Sequence, residues 1–301
     1  MGEKINMDRI YDVLIMGPVS LDINIDHEGN TVREVGGAVV QSGFAAAKTG
    51  HTTAVFTKFN PGDVNINDVF YGSGADVYWK ESKTTTSIIN RYLSENREKR
   101  ICTAVNTCEP FSINDIPRVK TRIYHIAGLI YNDFPDEIIE MLGKTGAKLA
   151  VDAQCLLRHA TRDGSMVFVD WEQKEKYLKY IDFFKTDAAE AEILTGESDR
   201  IKAAKILHGL GAKEIMITHH TEVLIYDGNE IYTCPIKSRN FSGRTGRGDT
   251  CFSGYITERL GRDIRSSLLF ATALVSLKME THGPFRGTRE DVEKYIEEFY
   301  S

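Results

Sequence analysis

Ser242-Gly243-Arg244-Thr245-Gly246-Arg247-Gly248-Asp249-Thr250 is the stretch on which the reading of this chain turns. Two glycines bracket Arg247, an acid follows, and an apolar series begins at Phe252, Tyr255, Ile256 and Leu260. Those four positions share one face of a helix with 3.6 residues per turn. The spacing puts Gly246 and Gly248 immediately before the helix, with Asp249 and Thr250 at its first positions. Backbone N–H groups at a helix start lack internal partners, and the helix dipole adds partial positive charge there. Glycines let that backbone approach a ligand closely, so the stretch suits an anion such as phosphate. A carboxylate at the same place raises the question of which proton it takes. Together these features point to phosphoryl transfer.

Working outward, Asp12–Gly17 reads as a buried strand, apolar and ended by glycine. Leu21–Asp26 and Thr31–Val35 flank a turn at Glu28-Gly29-Asn30 and predict a hairpin. Gly36-Gly37 opens a small-residue helix that stops at Gly50, and Thr52–Thr57 is the next strand. A second hairpin is predicted from Ser87–Leu93 and Ile101–Val105, joined by the polar turn Ser94–Lys99. The residues 21–35 and 84–105 together predict a small β appendage. Strands are expected at Arg122–Ala127, Lys148–Val151, Tyr180–Lys185 and Glu214–Thr218. Helices are expected at Asp136–Lys144, Glu172–Lys179, Ala188–Leu194 and Ile201–His208. Such alternation means βαβ crossovers and a mainly parallel sheet. Val223–Tyr226 and Glu230–Cys234 form an antiparallel hairpin, and helices at Asp249–Leu260, Asp263–Glu280 and Thr288–Phe299 close the chain.

With 301 residues, 42% of them hydrophobic, the chain can bury a large core as one domain over 1–301. The net charge of −6 and the lack of a basic block argue against nucleic acid as a partner. Five cysteines (Cys102, Cys108, Cys155, Cys234, Cys251) are scattered without a C-x-x-C pair, as in a reducing compartment. Met1–Asp12 has no apolar signal core. The longest uncharged apolar run, Leu268–Leu277, falls far short of the roughly 20 residues that span a bilayer. A soluble cytoplasmic protein is expected, with no membrane partner. A P-loop, G-x-x-x-x-G-K-[ST], is absent, as is a G-x-G-x-x-G after the first strand.

In this order the pieces resemble the PfkB/ribokinase family of carbohydrate kinases over nearly the whole length. The family's C-terminal signature, roughly D-T-x-G-A-G-D, is matched by Gly243–Asp249. Its N-terminal glycine pair and amide match Gly36, Gly37 and Gln41, glutamine standing for the usual asparagine. Its early substrate aspartate matches Asp22. Its N-x-x-E motif matches Asp187-Ala188-Ala189-Glu190, and its T-x-G strand end is matched by Thr218 alone, since His219 and His220 follow.

The resemblance implies a ribokinase-like α/β fold, with a central mainly parallel sheet flanked by helices and a small β lid. It implies ATP and Mg²⁺ as cofactors and a small sugar or polyol as acceptor. In that scheme Asp249 is the general base and Gly246, Arg247 and Gly248 form an anion hole. Asp22, Gly36, Gly37, Gln41 and Arg91 touch the acceptor. Asp187, Thr218, Thr245 and Gly283 border the nucleotide, and Glu190 organises Mg²⁺ through water. Gly243 replaces the aspartate near which some members hold a monovalent cation. Two other readings stay open: a nucleoside kinase, and a catalytically weak ligand-binding member. A homodimer through the lid is a further expectation. Plainer readings stand beside these roles. An acid in a first helical turn is commonly a cap or a partner of the dipole, and a surface arginine is commonly solvated.

Overall fold

The structure, a computed structural model, describes residues 9–94 and 100–301. Most of the Ser94–Lys99 turn, and residues 1–8 of the N-terminal segment, lie outside the described residues. In chain order, β1 (Ile10–Met16) leads to β2 (Ser20–Ile25), β3 (Thr31–Gly36) and α1 (Ala38–Lys48). Next come β4 (Thr53–Phe59), α2 (Ile66–Val69), β5 (Asp76–Glu81), β6 (Thr86–Tyr92) and β7 (Arg100–Asn106). The alternating half runs β8 (Lys120–Ile126), α3 (Glu137–Gly143), β9 (Lys148–Asp152), α4 (Gln154–Leu157), β10 (Arg158–Ala160), β11 (Met166–Phe168) and α5 (Lys174–Tyr177). It continues through β12 (Phe183–Asp187), α6 (Ala188–Thr195), α7 (Arg200–Gly209), β13 (Glu214–Thr218), β14 (Glu222–Tyr226) and β15 (Ile231–Pro235). The chain closes with α8 (Arg247–Glu258), α9 (Ile264–Lys278) and α10 (Arg289–Phe299).

Nine strands make the central sheet, in the order β15-β14-β13-β12-β9-β8-β1-β4-β5. The pairs from β13 to β5 are parallel and the two at the β15 edge antiparallel. The inner strands are largely buried: β4 along its whole length and β1 for its last four residues, as a sheet covered on both faces requires. From β1 the chain crosses to β4 and β5 on one side, then returns to β8 on the other. The point of reversal lies between β1 and β8, and in open α/β sheets the crevice beyond such strand ends is where ligands bind. The turn leaving β1 sits against the one leaving β8 so closely that a Cβ on Gly17 would lie 2.1 Å from the Ala127 carbonyl oxygen.

A second sheet, in the order β3-β2-β6-β7, lies over that crevice. The two predicted hairpins are there, joined through a parallel β2–β6 pair, so the small sheet is mixed. Several elements differ from expectation. β5 and the short β10–β11 hairpin were not signalled by composition. The Glu172–Lys179 helix is one turn, α5, followed by a 3₁₀ turn at Leu178–Tyr180, and the strand after it starts at Phe183 rather than Tyr180. α8 begins at Arg247, so Gly248 lies inside its first turn instead of ahead of it. Among the described residues no helix is long and apolar enough to cross a membrane.

Candidate active site

Two helix starts converge beyond the ends of β1 and β8. α1 begins after Gly37, at φ 109° and ψ 152°, where a Cβ would lie 2.7 Å from the Pro18 carbonyl oxygen. α8 begins after Gly246, at φ 77°, where a Cβ would fall 2.4 Å from the Gln41 side chain. Neither position tolerates a side chain, which is why both are glycine. The helices are held together by Ser42, whose Oγ donates to the Asp249 carbonyl at 3.3 Å, and by Ser253, whose Oγ donates to the Ser42 carbonyl at 2.8 Å. Both starts open onto one cavity of about 710 Å³ between the main sheet and the small one.

The structure places Asp22, Gly36, Gly37, Gln41, Thr245, Gly246, Asp249 and Gly283 on the wall of that cavity. Asp249, in the first turn of α8, reaches solvent through the cavity and is otherwise packed by protein. Burial and the nearby Asp152 push its carboxyl above the usual carboxylate range, against the pull of Lys185, Arg158 and Lys278. Asp22 also stands above its ordinary value because of burial, which Ser20 and Arg100 oppose. Gly36 is the glycine that makes room for it, since a Cβ there would sit 2.6 Å from the Asp22 carboxylate.

Other predicted residues stand elsewhere. Arg91 points away from the cavity and is exposed, because side chains alternate along β6; its neighbours Asn90 and Tyr92 face inward. Arg247 and Gly248 sit in the first turn of α8, behind the cavity wall, with Gly248 packed over Lys185. Asp187 and Thr218 are partners in the β12–β13 ladder, two strands further along, and the Thr218 hydroxyl donates to the Thr186 carbonyl at 3.4 Å. Asp187 caps α6 by accepting from the Glu190 N–H, while Glu190 accepts from the Asp187 N–H, both at 2.8 Å. The buried Glu190 is pushed up to about 7 by desolvation, with Lys185 pulling the other way. This reciprocal cap commits part of both carboxylates to the helix start. Among the described residues no three His, Cys, Asp or Glu side chains cluster as a metal cage. Mg²⁺ keeps several waters and takes few direct carboxylates, so acids placed as Glu190 and Asp187 suit an ion that arrives on phosphate oxygens.

Sequence reasoning missed a set of buried charges around Asp249. Arg158 lines the cavity, 8% exposed, and its Nη2 donates to Gln154 Oε1 at 2.6 Å. Arg100, on β7, lines it from the small sheet. Lys185 donates to both oxygens of Asp152, at 3.1 and 2.9 Å, directly beneath Gly248. At the end of β13 His219 lies near His220, Arg200 and Arg247, and burial first, then those neighbours, hold its ring below the ordinary histidine value against the pull of Glu222. Much of the acceptor wall is polar: Asp22, Asn24 and Asn90 on the small sheet, Gln41 and Gln154 from below.

A glycine-opened helix start, a carboxylate beside it and a polar cavity wall lie together at the switch point of the parallel sheet, as in the ribokinase fold. The profile of the pfkB family carbohydrate kinases matches residues 5–290, and the chain belongs to that family. A cytidine kinase of Thermococcus kodakarensis is 26% identical over 271 residues, 82% of this chain and 88% of its own length. A solved pyrophosphate-dependent kinase of the ribokinase family, in complex with sulfate, superposes with a TM-score of 0.87 at 36% identity, covering 93% of this chain and 99% of that one. A pyrophosphate-dependent kinase of the same family complexed with a pyrophosphate analog and myo-inositol gives 0.86 at 36% identity, covering 94% and 99%. Arabidopsis thaliana ribokinase complexed with ribose and ATP shares the fold, with a TM-score of 0.77 at 17% identity over 96% of this chain and 99% of its own.

Proposed function

We propose that this carbohydrate kinase phosphorylates a hydroxyl of a small cyclic polyol, an inositol or a sugar, with Asp249 as general base. The observation that carries the reading is the place of Asp249, between the anion-binding start of α8 and a wall of carboxylate and amide groups. Vicinal hydroxyls are recognised by such fixed hydrogen-bonding groups. A nucleoside calls for an aromatic or apolar wall; Tyr92, Ile88, Val32 and Leu129 contribute to this one, but Asp22, Asn24, Gln41, Asn90 and Gln154 stand among them. In the reaction the hydroxyl proton passes to the Asp249 carboxylate. The freed oxygen attacks the terminal phosphorus of the donor, and the bond from that phosphorus to the bridging oxygen breaks. The first-turn N–H groups of α8 hold the charge on the moving phosphoryl group. Glu190 and Asp187 would hold Mg²⁺ through water, and the ion would supply charge neutralisation.

The family resemblance implies ATP as donor. Two observations favour inorganic pyrophosphate. Solved relatives at 36% identity are pyrophosphate-dependent, and His219 and His220 stand where the family's glycines are lacking, near Arg247 and an Arg200 paired with Glu222. The deciding experiment offers pyrophosphate and Mg·ATP separately, with inositols, pentoses, hexoses and nucleosides as acceptors, and follows product by phosphorus NMR. Pyrophosphate with an inositol is expected to turn over fastest. Faster turnover with ATP would return the donor to the nucleotide, and a preference for a nucleoside would overturn the acceptor.

The quaternary reading is a homodimer through the small sheet. Its outward face carries Ile23, Ile25, Ile89, Ile101 and Val105 beside Arg91, and Ile101 and Val105 are exposed. A second copy of the same sheet is the occupant that matches this face.

A further inference from the structure

Lys278, in the last turn of α9, is 1% exposed, and it lies under the loop that leads into α8. Its Nζ donates to the Gly243 carbonyl at 2.7 Å and to the Thr245 carbonyl. The nearby carboxylate whose charge it feels is Asp249. A lysine near a helix C-terminus commonly serves the helix dipole from the surface. This one is withdrawn from water, a cost that only hydrogen bonds and opposite charge offset.

The loop is built to receive it. Gly243 donates its N–H to the Met279 carbonyl at 2.7 Å, and a Cβ on Gly243 would fall 1.6 Å from the Thr281 carbonyl oxygen. Ser242 Oγ donates to the Glu280 carbonyl at 2.8 Å. The end of α9 thus grips residues 242–243, and the carbonyls of residues 243 and 245 turn to the same side. Backbone carbonyls converging on one buried point are the donor set that proteins offer to a desolvated monovalent cation. Here an ammonium fills that point. If those carbonyls turned away, the loop that brings Thr245 and Gly246 to the cavity wall would lose its anchor on α9.

We propose that Lys278 is a resident cation: a positioning residue whose ammonium occupies the place of a monovalent metal ion, fixes residues 243–246 in their anion-binding form, and makes the enzyme independent of potassium. The inference goes beyond the reading of Asp249 but rests on the same anion site, so its test reads anion binding apart from turnover.

The experiment compares the wild-type protein with Lys278→Ala, which opens room for an ion, and Lys278→Met, which fills the room without charge. Affinity for inorganic pyrophosphate, with sulfate as a second probe, is measured by calorimetry in tetramethylammonium chloride and again after addition of potassium or ammonium ion. Circular dichroism and melting temperature are recorded alongside. The wild type is expected to bind equally in all three salts, within twofold. Lys278→Ala is expected to lose at least tenfold in affinity and to recover most of it with potassium or ammonium. Lys278→Met is expected to lose as much and recover nothing. A purely structural lysine would show no such rescue. A wild type stimulated more than twofold by potassium overturns the inference. So does an alanine variant that binds normally without added cation, or a folded one that no cation restores. If neither variant folds, the salt-independence of the wild type decides alone. A wild-type enzyme that binds the anions but phosphorylates nothing would refute the proposed function and leave Lys278 to its own test.

Discussion

Asp249 is a carboxylate held above its ordinary pKa chiefly by burial, and this has two consequences of opposite sign. Below the raised value the group is protonated and cannot accept a proton, so kcat/KM is expected to fall on an acid limb above the ordinary carboxylate range. For stability, a carboxyl whose folded pKa exceeds its unfolded one contributes most below the unfolded value and loses that contribution as pH rises through the folded value. At pH 7 its charge therefore works against the fold. Asp249→Asn is expected to lower kcat by about 10²–10⁴-fold while its melting temperature at pH 7 is no lower than that of the wild type. A mutant with normal turnover would refute the base assignment. A second expectation concerns Arg158. Its charge pulls the Asp249 pKa down, so Arg158→Gln is expected to cut turnover at least tenfold and to move the acid limb to higher pH. A pH–rate profile with an unmoved limb would place Arg158 outside the electrostatics of the base.

Elements explain why some of this was legible and some was not. The Gly243–Asp249 stretch announces itself because glycines, an acid and helix periodicity are all local. The Gly36-Gly37 helix start is local in the same way. Lys185 and Asp152 are different, for each lies on a separate buried strand with nothing in the local sequence to pair them. They meet only because β9 and β12 pair in parallel with Lys185 opposite Asp152. Arg158 and Arg100 reach the cavity from β10 and β7, joined by no sequence pattern. Lys278 left a faint signal, a lysine closing the apolar series Leu268–Leu277, which reads equally as a surface lysine at a helix end. Arg91 was misplaced by one residue, and in a strand that is the difference between the two faces. The β9–β12 pairing carries its own prediction. Burial disfavours the Lys185 ammonium, but Asp152, Glu190 and Asp249 outweigh it and hold its pKa above the ordinary lysine value. Lys185→Met strands a buried carboxylate and is expected to cost about 3–5 kcal/mol in urea unfolding. The double change Lys185→Met with Asp152→Leu should recover most of that loss, since an apolar pair of similar volume commonly replaces a buried ion pair at little cost. A double variant as unstable as the single one would mean that the charges, and not the desolvation of one of them, support the strands.

For the molecule as a whole, the small sheet has two faces with opposite characters, and the strand alternation that separates them also assigns them separate jobs. The inner face presents Asp22, Asn24, Asn90, Tyr92 and Arg100 to the cavity. The outer face presents a row of isoleucines and Val105, with Arg91 opposite Ile101. A monomer leaves Ile101 and Val105 exposed beside the half-buried Ile23, Ile25 and Ile89, and apolar surface of this kind marks an interaction site. Two copies pairing these faces would brace each other's cavity roofs, so dimerisation and catalysis become coupled through the rigidity of the roof. Light scattering at micromolar concentration is expected to give twice the 33.8 kDa chain mass. Ile101→Asp, which buries a charge only in the dimer, is expected to yield folded monomer with a raised KM for the acceptor. Because Ile101 does not face the cavity, a monomer with unchanged KM would separate the lid's two faces completely. A wild type that runs as 33.8 kDa would leave the isoleucine row to some other purpose.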